Sequence, residues 1–240
     1  MKLAWQKMVM ALVAGLLCNS EEIYSSPDST ENYSKPGIFV GLAVPYNTVG
    51  ADFDGKSTLV DRGAIFRLPE VEGSFGFEIL LGYGGKLNST LRYVFELSFT
   101  KSVHNVRWLE TESNADYFSF CIDGRLHFLA DQRIQPYVMI GFSFPDIFIV
   151  RDDTVITTTP QGSFNTARSD VRFKSTIGRV GGGIAYCLNR KVSIIGGVAY
   201  RIRKYAASAS IVRAGPALES SVKKASGSGL TFDIGLRFTF

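Results

Sequence analysis

Strict alternation of large apolar side chains with small or polar ones across residues 230–240 constrains this chain more than any other feature. The segment reads Leu-Thr-Phe-Asp-Ile-Gly-Leu-Arg-Phe-Thr-Phe. Successive side chains of a strand point to opposite faces. Phe232, Ile234, Leu236, Phe238 and Phe240 therefore share one face, with Thr231, Asp233, Gly235, Arg237 and Thr239 on the other. In water a bare apolar strand face promotes aggregation. Against lipid it is stable, so the pattern points to a strand whose outer side meets a membrane.

From Pro36 onward the same period recurs in eight segments, with no helical stripe. They cover 37–46, 75–83, 89–100, 117–128, 136–149, 176–188, 192–203 and 229–240. Each is near or above the roughly 9–11 residues that a tilted strand needs to cross a bilayer. One face of each is large and apolar: Val40, Leu42 and Val44 in the first, Phe75, Ile79 and Leu81 in the second, Phe95, Leu97 and Phe99 in the third. Phe118, Phe120 and Ile122 continue it, then Val138, Ile140 and Phe142, then Val180 and Ile184, then Val198, Tyr200 and Ile202. The opposite faces are small or charged. A soluble barrel or sandwich would put the bulky face inside, and the small face has too little volume for an apolar core. The expected fold is all-β, an eight-stranded antiparallel transmembrane barrel, with a narrow interior that side chains fill. Segments 47–74, 101–116, 150–175 and 204–228 are expected as four long outer loops. Segments 84–88, 129–135 and 189–191 are expected as three short turns on the periplasmic side.

Mean hydropathy is +0.10, yet the one apolar run approaching membrane-helix length, Met8–Leu17, has about 10 residues where a spanning helix needs about 20. Lys2 and Lys7 precede it, the layout of a cleaved secretory signal over residues 1–20. Cys18 and Ser20 would sit before a cut at Glu21; in a second, weaker reading Cys18 is acylated. The polar stretch 21–35 reads as a flexible leader, and 36–240 as the barrel. Loss of residues 1–20 removes two lysines and no acid, so the formal charge of +4 falls to +2. No cluster of basic residues interleaved with aromatics suggests nucleic acid. Cys121 and Cys187 are too few for a disulfide framework or a thiolate zinc site and are expected as free thiols facing the lumen.

The ending Gly235-Leu236-Arg237-Phe238-Thr239-Phe240 resembles the closing strand of bacterial outer-membrane β-barrels. The pattern over nearly the whole of 36–240 is similar to the small group that holds the OmpA-type transmembrane domain, opacity proteins and related porin-family surface antigens. The resemblance implies a place in the outer membrane of a Gram-negative cell envelope, in contact with its lipid and lipopolysaccharide. It also implies that Phe238 and Phe240 belong to an insertion signal read by the barrel-assembly machinery. The peptidoglycan-binding domain of full-length OmpA-type proteins is not expected.

Charges on the lumen face are the nearest thing to a chemical constellation. The acids are Glu78, Glu96, Asp123 and Asp233; the bases are Arg92, Arg125, Arg179, Arg201 and Arg237. Isolated charges in a narrow lumen are costly, so they are expected to pair. Arg125 and Arg92 are the expected partners of Glu96 and Asp123. Such a network would plug the barrel; a gate made by exchanging partners is the alternative. His104, expected in an outer loop, and His127, near a periplasmic strand end, have no companions at the spacing of a triad or metal site. Val180-Gly181-Gly182-Gly183 sits in a strand and is no phosphate cradle. No enzyme activity and no cofactor are expected. The function expected is a structural or interaction role, as a surface antigen or adhesin, carried by the outer loops. A low-conductance pore for small solutes is the alternative. Loop 204–228, with Lys204, Arg213, Lys223 and Lys224 against Glu219, is a place where lipopolysaccharide or a host polyanion would be met.

Overall fold

The computed structural model describes residues 36–55, 57–59, 65–108, 111–158, 164–209 and 221–240. The signal and leader expectations lie outside them. In chain order the strands are β1 (Gly37–Asn47), β2 (Ser57–Leu59), β3 (Ile65–Arg67), β4 (Glu70–Val71), β5 (Ser74–Lys86) and β6 (Leu91–Trp108). They continue with β7 (Thr111–Phe128), β8 (Ile134–Thr158), β9 (Phe164–Cys187), β10 (Val192–Ala209), β11 (Ser221–Ser226) and β12 (Gly229–Thr239).

Eight of these strands close a ring. β1 pairs antiparallel with β5 on one side and β12 on the other, so that Leu42 faces Ile79 across one ladder and Leu236 across the other. From β5 the ring runs through β6, β7, β8, β9 and β10 to β12, antiparallel at every step. Closure removes the edges that an open sheet would expose. β2, β3, β4 and β11 are short additions at the ends of the ring strands, as in the pairing of β11 with β10 from Lys204 to Ser208.

The two faces sort as the alternation requires. Phe95, Ile140, Phe232 and Ile234 are well exposed on the outside, with Ile140 at 71%. The side chains between them turn inward and are buried, among them Glu96, Asp123, Arg125, Arg179 and Arg237. An apolar belt of this kind around a closed barrel is the surface that lipid covers. The interior is not uniformly small and charged, however. Ala43, Leu80, Ala185 and Ile195 form a buried apolar cluster, and Phe39, Phe148, Phe173 and Ile177 also point in. Phe39 has room because Gly82 stands opposite it, whereas Phe148 is opposite both Phe173 and Tyr117, so that rings fill the interior at that level.

Sheet structure reaches well past the expected strand ends. β6 and β7 pair continuously out to Trp108 and Thr111, and β8 and β9 to Thr158 and Phe164. The described residues of 101–116 and 150–175 thus continue the ladders in place of irregular loops. Beyond the lipid belt no solvent asymmetry enforces apolar alternation, so backbone pairing persists where the sequence pattern fades. β8 also slips. Its ladders with β7 and β9 shift between Ser143 and Asp146. Phe144 and Pro145 both lie outside, and Asp146 and Phe148 turn in. A bulge of this kind inverts the parity of the residues that follow it, here Asp146 to Val150, before the β8–β9 ladder shifts again between Val150 and Asp153.

Candidate functional site

Residues that could carry function lie in the barrel interior and at its outer mouth, in layers. Near the short turns, Lys86 Nζ meets Asp131 Oδ1 at 2.8 Å, and Gln135 Nε2 donates to Ala130 O at 2.7 Å. Arg92 belongs to this level. Its guanidinium lies against Gly84, where a Cβ would stand 2.6 Å from Nη2. It is therefore not the partner of either Glu96 or Asp123. On this level too, the buried His127 ring lies 5.1 Å from that of Tyr137.

The middle layer holds the ion pairs. Glu96 lies between two guanidiniums: Arg125 Nη2 reaches Oε1, and Arg237 Nη2 reaches Oε2 at 2.5 Å. Arg179 holds Asp123 and stands 3.9 Å from Glu78 Oε1. Glu78 also accepts from Thr100 Oγ1 at 3.1 Å. The alternation of each strand puts these groups inside, and the ladder register stacks them: Glu96 is opposite Asp123, Asp123 opposite Gly141, and Gly141 opposite Arg179. Gly141 is what allows the pair to form across it, because a Cβ there would meet the Asp123 carboxylate and Arg179 Cγ. Asp233 faces the same layer, with its Oδ1 3.1 Å from where a Gly197 Cβ would stand. Aromatic rings complete the packing. Arg125 lies over Tyr137 at 5.0 Å and Arg237 over Phe39 at 4.8 Å. Such stacking suits the weakly hydrated guanidinium plane.

Above lies a layer that the alternation only partly reveals. Arg201 Nη1 donates to Tyr117 Oη at 2.6 Å, so Arg201 is not paired as an ion partner of the middle layer. Arg203 Nη2 donates to the same hydroxyl at 3.3 Å, while its Nη1 donates to Thr48 O at 2.9 Å. Arg203 Nε lies 3.9 Å from Asp146 Oδ2. His104, expected in a loop, is wholly buried in β6 between Ser102 Oγ at 2.9 Å and Glu72 O at 2.8 Å. Over it sits an aromatic lid. Phe53, from the segment that follows β1, enters the mouth with its ring 5.1 Å from Phe173 and 5.9 Å from Phe148, both edge-on. Phe53 and Leu68 are each 1% exposed.

Arg203, Asp146, Tyr117 and Phe53 were not legible as site residues. The signal for Asp146 was Pro145, which interrupts a run of alternation and marks a bulge. Phe53 lies in a segment with no period at all. Cys121 and Cys187 are buried free thiols. Among the described residues no group of three His, Cys, Asp or Glu could hold a metal ion. Arg213 and Glu219 of the cationic outer segment lie outside the described residues.

Comparison with solved structures bears on the fold. Outer membrane protein AlkL, solved by solid-state NMR in DMPC bilayers, matches with a TM-score of 0.52 at 16% identity, over 90% of this chain and 95% of that one. This chain has the outer-membrane β-barrel fold. Neisserial surface protein A matches at 15% identity over 85% of this chain and 97% of that one, with a TM-score of 0.49. OprG from Pseudomonas aeruginosa matches at 13% identity over 88% and 99%, with a TM-score of 0.47. No protein-family model matches the sequence, and no curated protein matches it.

Proposed function

We propose that this protein is an outer-membrane surface barrel with a closed lumen. Its role is structural or interactive, carried by the outer hairpins and without catalysis. One observation carries the reading. Glu96, Asp123, Arg125, Arg179 and Arg237, at mid-barrel, are each no more than 5% exposed. A water-filled channel would leave the charged side chains that line it accessible to solvent. These charges are instead paired with one another and stacked on rings, although Arg125 Nε and Nη1 and Arg237 Nε find no hydrogen-bond partner, and the aromatic lid lies above them. A rigid plugged scaffold with long hairpins on one side suits recognition at the cell surface, because loops held by a rigid frame commonly carry binding function. The two terminal aromatics Phe238 and Phe240 would serve assembly, as the strand-closing segment offered to the insertion machinery.

Conductance tests the reading. The refolded protein in planar bilayers should give no steady current. Steady ohmic channels from the wild-type protein would replace it with the low-conductance pore.

A further inference from the structure

A groove of about 400 Å³ lies on the outside of the barrel, lined by Phe144, Lys174, Ser175, Thr176, Ile202 and Lys204. Two features of the sheet wall it, and a third extends it. The bulge of β8 pushes Phe144 outward as one wall, where it is 66% exposed. Ile202 of β10 forms the other wall, half exposed. Next to the groove, beside Ile202, β9 presents Gly178, paired with Phe142 on one side and Ile202 on the other. Gly178 points outward, and a Cβ placed there would meet nothing within 4 Å. The groove thus continues along the lipid face into the open space over Gly178, flanked by Phe142 and Ile202.

The outer end of the recess is cationic. Lys204 lies opposite Thr176, and Lys174 is two residues further out along β9. Both face outward on the side of the long hairpins. With a rise of about 3.3 Å per residue, Lys204 and Lys174 lie roughly 7 and 13 Å further toward the long hairpins than the level of Phe142, Gly178 and Ile202. Among the described residues neither lysine has a carboxylate partner. Lys101, also outward, lies instead over the Phe118 ring at 5.3 Å.

We infer that this groove binds one phosphorylated glycolipid of the outer leaflet, with an acyl chain along Gly178 between Phe144 and Ile202 and its phosphates on Lys174 and Lys204. The recess supplies what an acyl chain requires, and the unpaired lysines supply what an anionic headgroup requires at the depth where one would sit. A neutral lipid would leave the two ammonium groups without a counter-charge. A soluble polyanion would leave the apolar recess empty.

The test is native mass spectrometry of the refolded full chain in detergent, titrated with diphosphoryl lipid A, monophosphoryl lipid A and phosphatidylglycerol. Diphosphoryl lipid A should bind one per barrel, more tightly than either of the others. The K174A/K204A variant should bind it about tenfold more weakly or worse, the scale of losing a charge-assisted contact. The K101A variant should bind as the wild type does. G178W, which fills the recess and leaves both lysines in place, should weaken binding as well, and free pyrophosphate should not displace the lipid. Unchanged binding by K174A/K204A, equal binding of phosphatidylglycerol, or displacement by pyrophosphate would overturn the proposal. Should G178W fail to refold, the double lysine variant alone decides.

Discussion

At the scale of single residues, the interior is organised by which guanidinium each carboxylate finds. Alternation alone turned Glu96, Asp123, Arg125, Arg179 and Arg237 inward, and the sequence pattern located all of them. The choice of partner was another matter. Glu96 takes Arg125 from the neighbouring strand, as expected, but also Arg237, which is 141 residues away in sequence. Asp123 takes Arg179 across Gly141, while Arg92 lies one layer lower against Gly84. Depth along a tilted strand decides such pairings, and depth depends on the stagger of the closed ring. Glu96→Ala would leave Arg125 and Arg237 buried without their shared carboxylate. The expected loss is about 3–5 kcal/mol, the usual cost of breaking a buried pair from one side. Denaturant unfolding in detergent or lipid measures it. A loss within the range of an exposed pair, below about 1 kcal/mol, would place water in this layer. Gly141→Ala should also destabilise, because the added methyl has no place beside Asp123 and Arg179.

At the scale of elements, the outward faces and the lid make different demands. Ile140 is 71% exposed in β8, on the belt that lipid covers. Ile140→Arg should destabilise the barrel by about 2–4 kcal/mol if it lies near the midplane, as read in refolding titrations into lipid vesicles. The same substitution at Lys204, which is already at the rim, should be close to neutral. β8 shows where reading by alternation stops. Parity holds to Ser143, then the bulge at Phe144 and Pro145 inverts it, and Asp146 and Phe148 enter the lumen. The segment after β1 has no period, yet it delivers Phe53 into the mouth. Phe53→Ala should cost about 3–5 kcal/mol by the usual cavity penalty for a buried aromatic. Should the lid seal the mouth, the variant will also show brief current steps in planar bilayers where the wild type shows none.

At the scale of the whole molecule, closure of the ring makes every inward group depend on every strand. Cys121 and Cys187 report this directly. Both are buried, so peptide mapping after alkylation should find them unmodified in the folded protein and fully modified once it is unfolded by heat. Folded and heated samples should also migrate differently on gels. Reaction of both thiols in the folded protein would mean an open lumen and would count against the plugged reading. The sequence by itself determined the fold class, the eight ring strands and the orientation of their faces. Lipid on one side and a narrow lumen on the other impose a two-residue period that survives in the residues themselves. It also singled out most of the charges that are buried. Only the tertiary structure decided who pairs with whom, how far the hairpins extend, that Phe53 packs on Phe148 and Phe173 and that a groove forms between Phe144 and Ile202 on the outer wall. Those outcomes depend on ladder register, on bulges such as that at Phe144 and Pro145 and on the stagger at which β12 meets β1, and contacts between residues far apart in the chain leave no periodic trace.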